Sequence, residues 1–361
     1  MDARTRCKNL SSFYISFFTE RVGPMISALI IILALVLLLP FFVPFVERNL
    51  EIFLFIMGWA AAIAGGVLDK PLLRKALEDP VNITIAVFVA GLLFRWLERP
   101  LEKVISAINR GIPFPLLAAL TVILLGLLSS VITAIIAALI LVVIVSVLRL
   151  DRKSETQLVV YSCFSIGLGA ALTPIGEPLS TLAISKLGED FFYLLRLIGP
   201  EVISAVVIFG ILAAIVIKPE QSAIGLKTAH KRESYVEIAG RTVKIYLFVM
   251  GLTLLGAGFE PLINRFLLDL SPFILYWINM ISAVLDNATL AAAEISPKMA
   301  DKTVQAILLG LLISGGMLVP GNIPNIISAG KLRITSREWA RFGLPIGLAA
   351  MAVYFVVILF V

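Results

Sequence analysis

Ile281-Ser282-Ala283-Val284-Leu285-Asp286-Asn287-Ala288-Thr289 sets a carboxylate, a carboxamide and two hydroxyls in the middle of an apolar segment. In hydrocarbon such groups are costly unless they meet partners or line a wet cavity, so an acid there marks a functional site by default. The plainer reading is a short polar turn outside the membrane. Which applies depends on whether the flanking chain spans a bilayer.

Composition places it there. The chain is 60% hydrophobic and 15% charged, with a mean hydropathy of +1.02, far from the balance of a soluble domain. Apolar stretches of roughly 17 to 25 residues are long enough to span. They recur throughout, leaving residues 219–240 as the sizeable polar loop, so the expected class is an all-α polytopic membrane protein. The first apolar run follows Arg4, Arg6 and Lys8 as in a signal peptide, but it is too long for a simple h-region and lacks a convincing small-residue cleavage site. It reads as a retained helix. Cys7 and Cys163 form no CxxC pattern and read as free structural thiols. The +6 net charge fits a positive-inside loop bias, so no nucleic-acid partner is implied.

Residues 23–46, 50–68 and 81–97 read as spanning helices, with a charged turn at 69–80. Residues 98–110 carry apolar positions at helical spacing among charges, as expected of a helix lying in the interface. Residues 112–148 are apolar except near Ser129, Ser130 and Thr133, which fits either two short crossings or one re-entrant hairpin with a polar tip. Residues 157–187 contain Thr173-Pro174-Ile175-Gly176-Glu177-Pro178, a sequence that unwinds a helix and frees backbone carbonyls. A further span follows at 191–217.

The second half repeats this order. Phe88-Val89-Ala90-Gly91-Leu92 returns as Phe248-Val249-Met250-Gly251-Leu252, and Glu98-Arg99-Pro100-Leu101 as Glu260-Pro261-Leu262. Ser129 to Thr133 aligns with Ser282 to Asp286, and Gly169 to Pro174 with Gly315 to Pro320. The expected organisation is a tail and two helices in 1–80; a first repeat in 81–217 with hairpin 112–148 and broken helix 157–187; a basic cytoplasmic loop at 218–241; and a second repeat in 242–361 with hairpin 272–295 and broken helix 301–329. Re-entrant hairpins leave three crossings per repeat, and an odd number inverts the second copy. That predicts eight spanning helices and two hairpins entering from opposite sides. With the amino terminus outside, more than half of the 30 Lys and Arg fall in inner segments of a plasma (inner) membrane protein, although the basic amino-terminal tail runs against that orientation.

Two tips and two breaks supply oxygen ligands of the kind a hard monovalent cation prefers. They are Ser129, Ser130 and Thr133; Thr173, Glu177, Ser180 and Thr181; Ser282, Asp286, Asn287 and Thr289; Asn322, Asn325 and Ser328. Asp286 and Glu177 are the carboxylates of the set and the proton-coupling candidates, because burial and a nearby cation push a carboxyl pKa in opposite directions. Glu201 reads as a helix-entry charge near the interface in preference to a buried relay acid, Glu294 as a membrane-boundary acid before Ser296-Pro297-Lys298 in preference to a relay on the helical face of Asp286, and His230 as a solvated loop residue.

At these residues the chain resembles the ion transporter superfamily. Ser282-Ala283-Val284-Leu285-Asp286-Asn287 is similar to the hairpin of NhaD-type sodium/proton antiporters, and Thr173-Pro174-Ile175-Gly176-Glu177 to their Ser-Pro-Ile-Gly-Asp stretch. The whole chain also resembles a smaller bacterial and archaeal family of predicted cation transporters or permeases. The resemblance implies a homodimer whose scaffold, including 1–80, holds an elevator-like transport domain. It also implies sodium at Ser129, Ser130, Thr133, Thr173 and Gly176, and at Ser282, Asp286, Asn287, Gly321 and Asn322. The chain departs from that pattern at Thr133, where the partner tip has Asp286, and at Glu177, which replaces Asp.

The expected function is therefore secondary transport of a monovalent cation, sodium exchanged for protons. The alternative is a sodium-coupled symporter of a small organic or inorganic anion. Sodium would be the transported or coupling ion, with no other cofactor and no transition metal. An enzyme is not expected: a single histidine excludes HExxH, and no GxSxG elbow occurs. A passive channel fits broken, repeated helices less well than alternating access does.

Overall fold

The computed structural model of the chain describes residues 23–43, 45–46, 49–78, 80–81, 84–85, 88–89, 92, 112–219, 235–266, 270–280, 287–295 and 299–360. These form helices α1 (Gly23–Phe42), α2 (Leu50–Ala64), α3 (Phe114–Ile132), α4 (Ala134–Leu148), α5 (Arg152–Ala170), α6 (Pro178–Leu187) and α7 (Tyr193–Val216). They continue with α8 (Tyr235–Phe266), α9 (Pro272–Ile278), α10 (Asn287–Glu294), α11 (Asp301–Gly315), a 3-10 turn (Val319–Gly321), α12 (Ile323–Leu332) and α13 (Ser336–Phe360). No strand occurs among the described residues.

Four of the described helices, α3, α7, the 235–262 part of α8 and α13, are long and apolar enough to cross a membrane, and α1, α2 and α4 contain shorter apolar runs. The chain is a multi-pass membrane protein. At about 1.5 Å per residue the 19 residues of α3 reach ~28 Å, close to the ~30 Å of bilayer hydrocarbon. On α7, Ile203, Val207, Ile211 and Ile215 recur every fourth residue as an exposed stripe, while Val202, Val206, Phe209 and Ala213 are buried. That split is what lipid on one side and protein on the other requires.

Local chemistry moves several boundaries from their expected places. The charged segment 69–80 is helical over 70–78, started by the Asp69 carboxylate accepting from the Leu72 N–H at 2.8 Å. α5 begins at Arg152 rather than 157, because Asp151 caps it through the Ser154 N–H at 3.1 Å. The loop expected at 218–241 ends early, since α8 starts at Tyr235 and buries Ile238 and Ile245 at helical spacing. The apolar stretch 112–148 is two helices separated by one residue, Thr133. The interfacial helix expected at 98–110 lies outside the described residues.

Two helices are buried on nearly every side. α5 buries all of Thr156 to Ala170, and α11 all of Val304 to Gly315. A helix apolar all round belongs in a protein interior, and where such helices stop, their unpaired ends stay off the lipid. α3 packs on α5 and α7, and α9 on α11. The tip helices cross over: α4 packs against α12, and α10 against α6.

α2 and α8 form the other extensive contact. Between membrane helices lipid leaves little hydrophobic drive, so association rests on close packing. A Cβ at Gly58 would lie 2.3 Å from the Gly251 carbonyl oxygen, and one at Gly65 2.4 Å from that of Gly258. This seam cannot accommodate side chains at those positions.

Candidate functional site

Each buried helix ends in the same way. α5 gives way to extended Glu177 (φ −156, ψ 159), and α11 to extended Asn322 (φ −154, ψ 147). Each precedes a ten-residue helix with proline in its first turn and Lys-Leu at its end, closed by a left-handed residue, Gly188 (φ 70) or Arg333 (φ 54). The Gly176 N–H donates to the Thr173 carbonyl at 3.2 Å, as the Gly321 N–H does to that of Leu318 at 3.3 Å. Corresponding residues stand 145 apart, as 177 and 322 do. This register corrects the alignment expected from the prolines by one residue: Ile175, not Pro174, corresponds to Pro320. Backbone hydrogen bonds set the correspondence, and proline, lacking an N–H, has no part in them.

At the first tip Thr133 adopts φ 75, ψ 149, a region that essentially only glycine occupies without strain. Its Oγ1 accepts weakly from the Ile136 N–H at 3.4 Å. The next N–H, of Ala134, donates to the Gly176 carbonyl at 2.9 Å, tying this tip to the first break. Thr133, Gly176, Glu177, Thr181, Lys186 and Asn322 then line one open pocket of about 730 Å³, together with apolar groups of α4, α6 and α12. Glu177 is 8% exposed within it. The Asn322 amide lies over α5, 2.5 Å from where a Cβ of Gly167 would sit.

The remaining expected ligands divide by where their hydrogens point. Ser129 Oγ donates to the Gly126 carbonyl at 2.6 Å and lies 3.0 Å from that of Ile166. Ser130 Oγ donates to Leu127 O at 2.7 Å, and Thr173 Oγ1 donates to Ser130 O at 2.5 Å. Ser180 Oγ donates to the Ala171 carbonyl at 3.1 Å, while Asn325 Nδ2 donates to those of Gly315 and Leu318 at 2.8 and 2.9 Å. Ser180 and Asn325 correspond in the 145-residue register, and both stabilise a helix end that would otherwise leave buried carbonyls bare.

The second tip is described only from Asn287 onward. Its carboxamide is buried, with neither polar atom hydrogen-bonded, and lies 2.5 Å from a Cβ built on Gly315, beside the Gly321 carbonyl. Ser282, Asp286 and the side chain of Thr289 lie outside the described residues, as does His230.

Three findings were not legible in the sequence. Lys186 reaches the pocket and donates to the Ile295 carbonyl at 3.4 Å. Its one sequence signal is that it and Lys331 end matching short helices. Glu201 sits inside α7, where Gln305 Nε2 donates to its Oε1 at 3.0 Å, rather than near the start of a span. Glu294 is 1% exposed, enclosed by protein rather than solvated. Among the described residues no His, Cys, Asp and Glu cluster of metal-binding kind occurs. In the loop between α6 and α7, the Arg196 guanidinium and then the Phe192 N–H hold the Asp190 carboxyl below the usual carboxylate range.

No curated protein matches the chain. The family model described as protein of unknown function (DUF1646) matches residues 26–361, and the chain belongs to that family.

Proposed function

We propose that this family member is a secondary active transporter of a monovalent cation, exchanging sodium for protons by alternating access between two inverted copies of one helical unit. The observation that carries the reading is the pocket where Thr133 of the first tip, Gly176 and Glu177 of the first break, and Asn322 of the second break meet. Interrupted helices give such a site partial charges at little reorganisation cost, and Glu177 supplies a formal charge that either a cation or a proton neutralises. The repeat is supported by the 145-residue register of the breaks and by the exchange of partners, α4 on α12 and α10 on α6. Re-entrant hairpins, sodium at the second tip through Asp286 and Asn287, the homodimer, an elevator-like movement, an outside amino terminus and a cytoplasmic loop between α7 and α8 in the plasma membrane belong to the same proposal. The resemblance to NhaD-type antiporters points the same way.

Sodium-coupled symport of a small anion is the second reading, and Lys186 favours it, because a lysine on the pocket wall is a counter-charge that an anion would use. Purified protein in vesicles with a trapped pH-sensitive dye separates the two. Exchange predicts that sodium alone moves protons, whereas symport predicts sodium-dependent uptake of a carboxylate. If Glu177→Gln and Asp286→Asn both left transport unchanged, the pocket would not be the site.

A further inference from the structure

Glu294 ends α10 and is as buried as its partner Asn279, which closes α9, each at 1% exposure. Asn279 Nδ2 donates to Glu294 Oε2 at 2.9 Å. Glu294 Oε1 and Asn279 Oδ1 have no hydrogen-bond partner. Two orphaned oxygens thus sit on two groups already joined by one bond. An ionised Glu294 would be a buried charge held by a single neutral donor, which is costly. A protonated Glu294 has an O–H to donate, and the bare amide oxygen is the acceptor that it lacks. Acid and amide then close a ring of two hydrogen bonds, and both orphans are satisfied.

Among the described residues the surrounding charges do not offer another solution. None of the ion pairs among the described residues includes Glu294. Of the elements packed on α10, α6 brings Lys186, whose ammonium donates to the Ile295 carbonyl. α11 brings Asp301, which accepts from the Tyr193 hydroxyl at 2.8 Å, and exposed Lys302. The described charged side chains of α8, Glu237, Lys244 and Glu260, lie at exposed or half-exposed positions, and α9 has none.

The pair also lies between the two breaks. On one side Lys186 joins Ile295, the residue after Glu294, to the wall of the Glu177 pocket. On the other, the Ser314 hydroxyl, shared between the Gly310 carbonyl at 2.5 Å and the Asn279 carbonyl at 2.8 Å, stands one residue before Gly315, on which the Asn287 amide rests. A change of charge at Glu294 therefore acts on groups that hold both candidate ion positions.

We propose that Glu294 holds a proton in the resting protein, closed in an acid–amide pair with Asn279, and that this proton leaves when the cation binds. The second clause rests on the exchange reading given above; the first does not. Infrared spectra of the protein in lipid at neutral pH test the first. The wild type is expected to show the C=O stretch of a protonated carboxylic acid, which Glu294→Gln loses while keeping its size-exclusion profile and Tm. A band unchanged in Glu294→Gln overturns the proposal. Should that variant not fold, Asn279→Leu keeps the acid and is expected to shift the band, and an unshifted band overturns the pairing. In vesicles, Glu294→Gln is expected to lose sodium-driven proton movement and Glu294→Asp to recover part of it; unchanged flux in Glu294→Gln overturns the coupling. If the wild type itself shows no such movement, the exchange reading falls and the coupling with it, while the infrared result still decides whether Glu294 carries a proton.

Discussion

The Ala134 N–H donates to the Gly176 carbonyl at 2.9 Å, so the first residue of α4 is bonded directly to the first helix break. The bond requires Gly176 to lie against the end of α5, where a Cβ would come 1.9 Å from the Ala170 carbonyl oxygen. Gly176→Ala must push the break away from the tip. Its expected cost is about 3 kcal/mol or more, in the range of severe backbone clashes. Gly188→Ala has open space around it and pays only for φ 70, about 1 to 2 kcal/mol. Thermal unfolding of the two purified variants should rank them in that order.

Thr133 is a β-branched residue held at φ 75 and ψ 149. Relieving such a conformation recovers about 1 to 3 kcal/mol, less the weak bond its hydroxyl accepts from Ile136. Thr133→Gly should therefore raise Tm while lowering cation-driven flux, because the pocket loses a hydroxyl. A variant that is both less stable and equally active would show that the strain has no functional counterpart.

Glu177 and Ser180 stand one helical turn apart and are expected to separate function from structure. Glu177→Gln keeps the shape and removes the charge, so flux should disappear with Tm nearly unchanged. Ser180→Ala leaves the Ala171 carbonyl without its buried donor and should cost about 1 to 3 kcal/mol, with transport by the surviving folded protein retained. Flux normalised to folded protein is the measurement.

Along the α2 and α8 seam, a Cβ on Gly251 would lie 2.7 Å from the Phe55 backbone. Gly251→Val should cost about 3 kcal/mol through forced separation of the helices. Gly240→Ala, with nothing within 4 Å of the added carbon, should instead stabilise α8 by up to about 1 kcal/mol. Tm shifts of opposite sign are expected.

Arg152 ties the start of α5 to the junction of α12 and α13. Its guanidinium meets both Glu338 oxygens at 2.8 Å and also donates to the carbonyls of Leu332 and Arg333. With the two side chains 43% and 35% exposed, solvent screening reduces the ion pair to about 1 kcal/mol. Arg152→Lys loses the fork geometry and should cost nearly as much as Arg152→Ala in a double-mutant cycle with Glu338→Gln.

Proline and glycine fix local backbone options, so the breaks near Thr173 to Pro178 and at Pro320 to Asn322 were legible at once. Their matching was legible only to within one residue, because proline marks where a helix stops without fixing which carbonyl pairs with which N–H. Buried acids were misplaced for a related reason. Ser296-Pro297-Lys298 signals an end to α10, but whether Glu294 then meets water or Asn279 depends on where α9 and α11 pack.

The sequence by itself determined that the chain is helical and membrane-embedded, since apolar run length answers to bilayer thickness, and it determined that oxygen-rich interruptions recur in both halves. It singled out Asp286, whose surroundings lie outside the described residues. The tertiary structure alone decided that Glu177 and Asn322 share one pocket, that Lys186 lines its wall, and that Glu294 is enclosed with Asn279. Those facts depend on distances between helices far apart in the chain, which no local pattern of residues encodes.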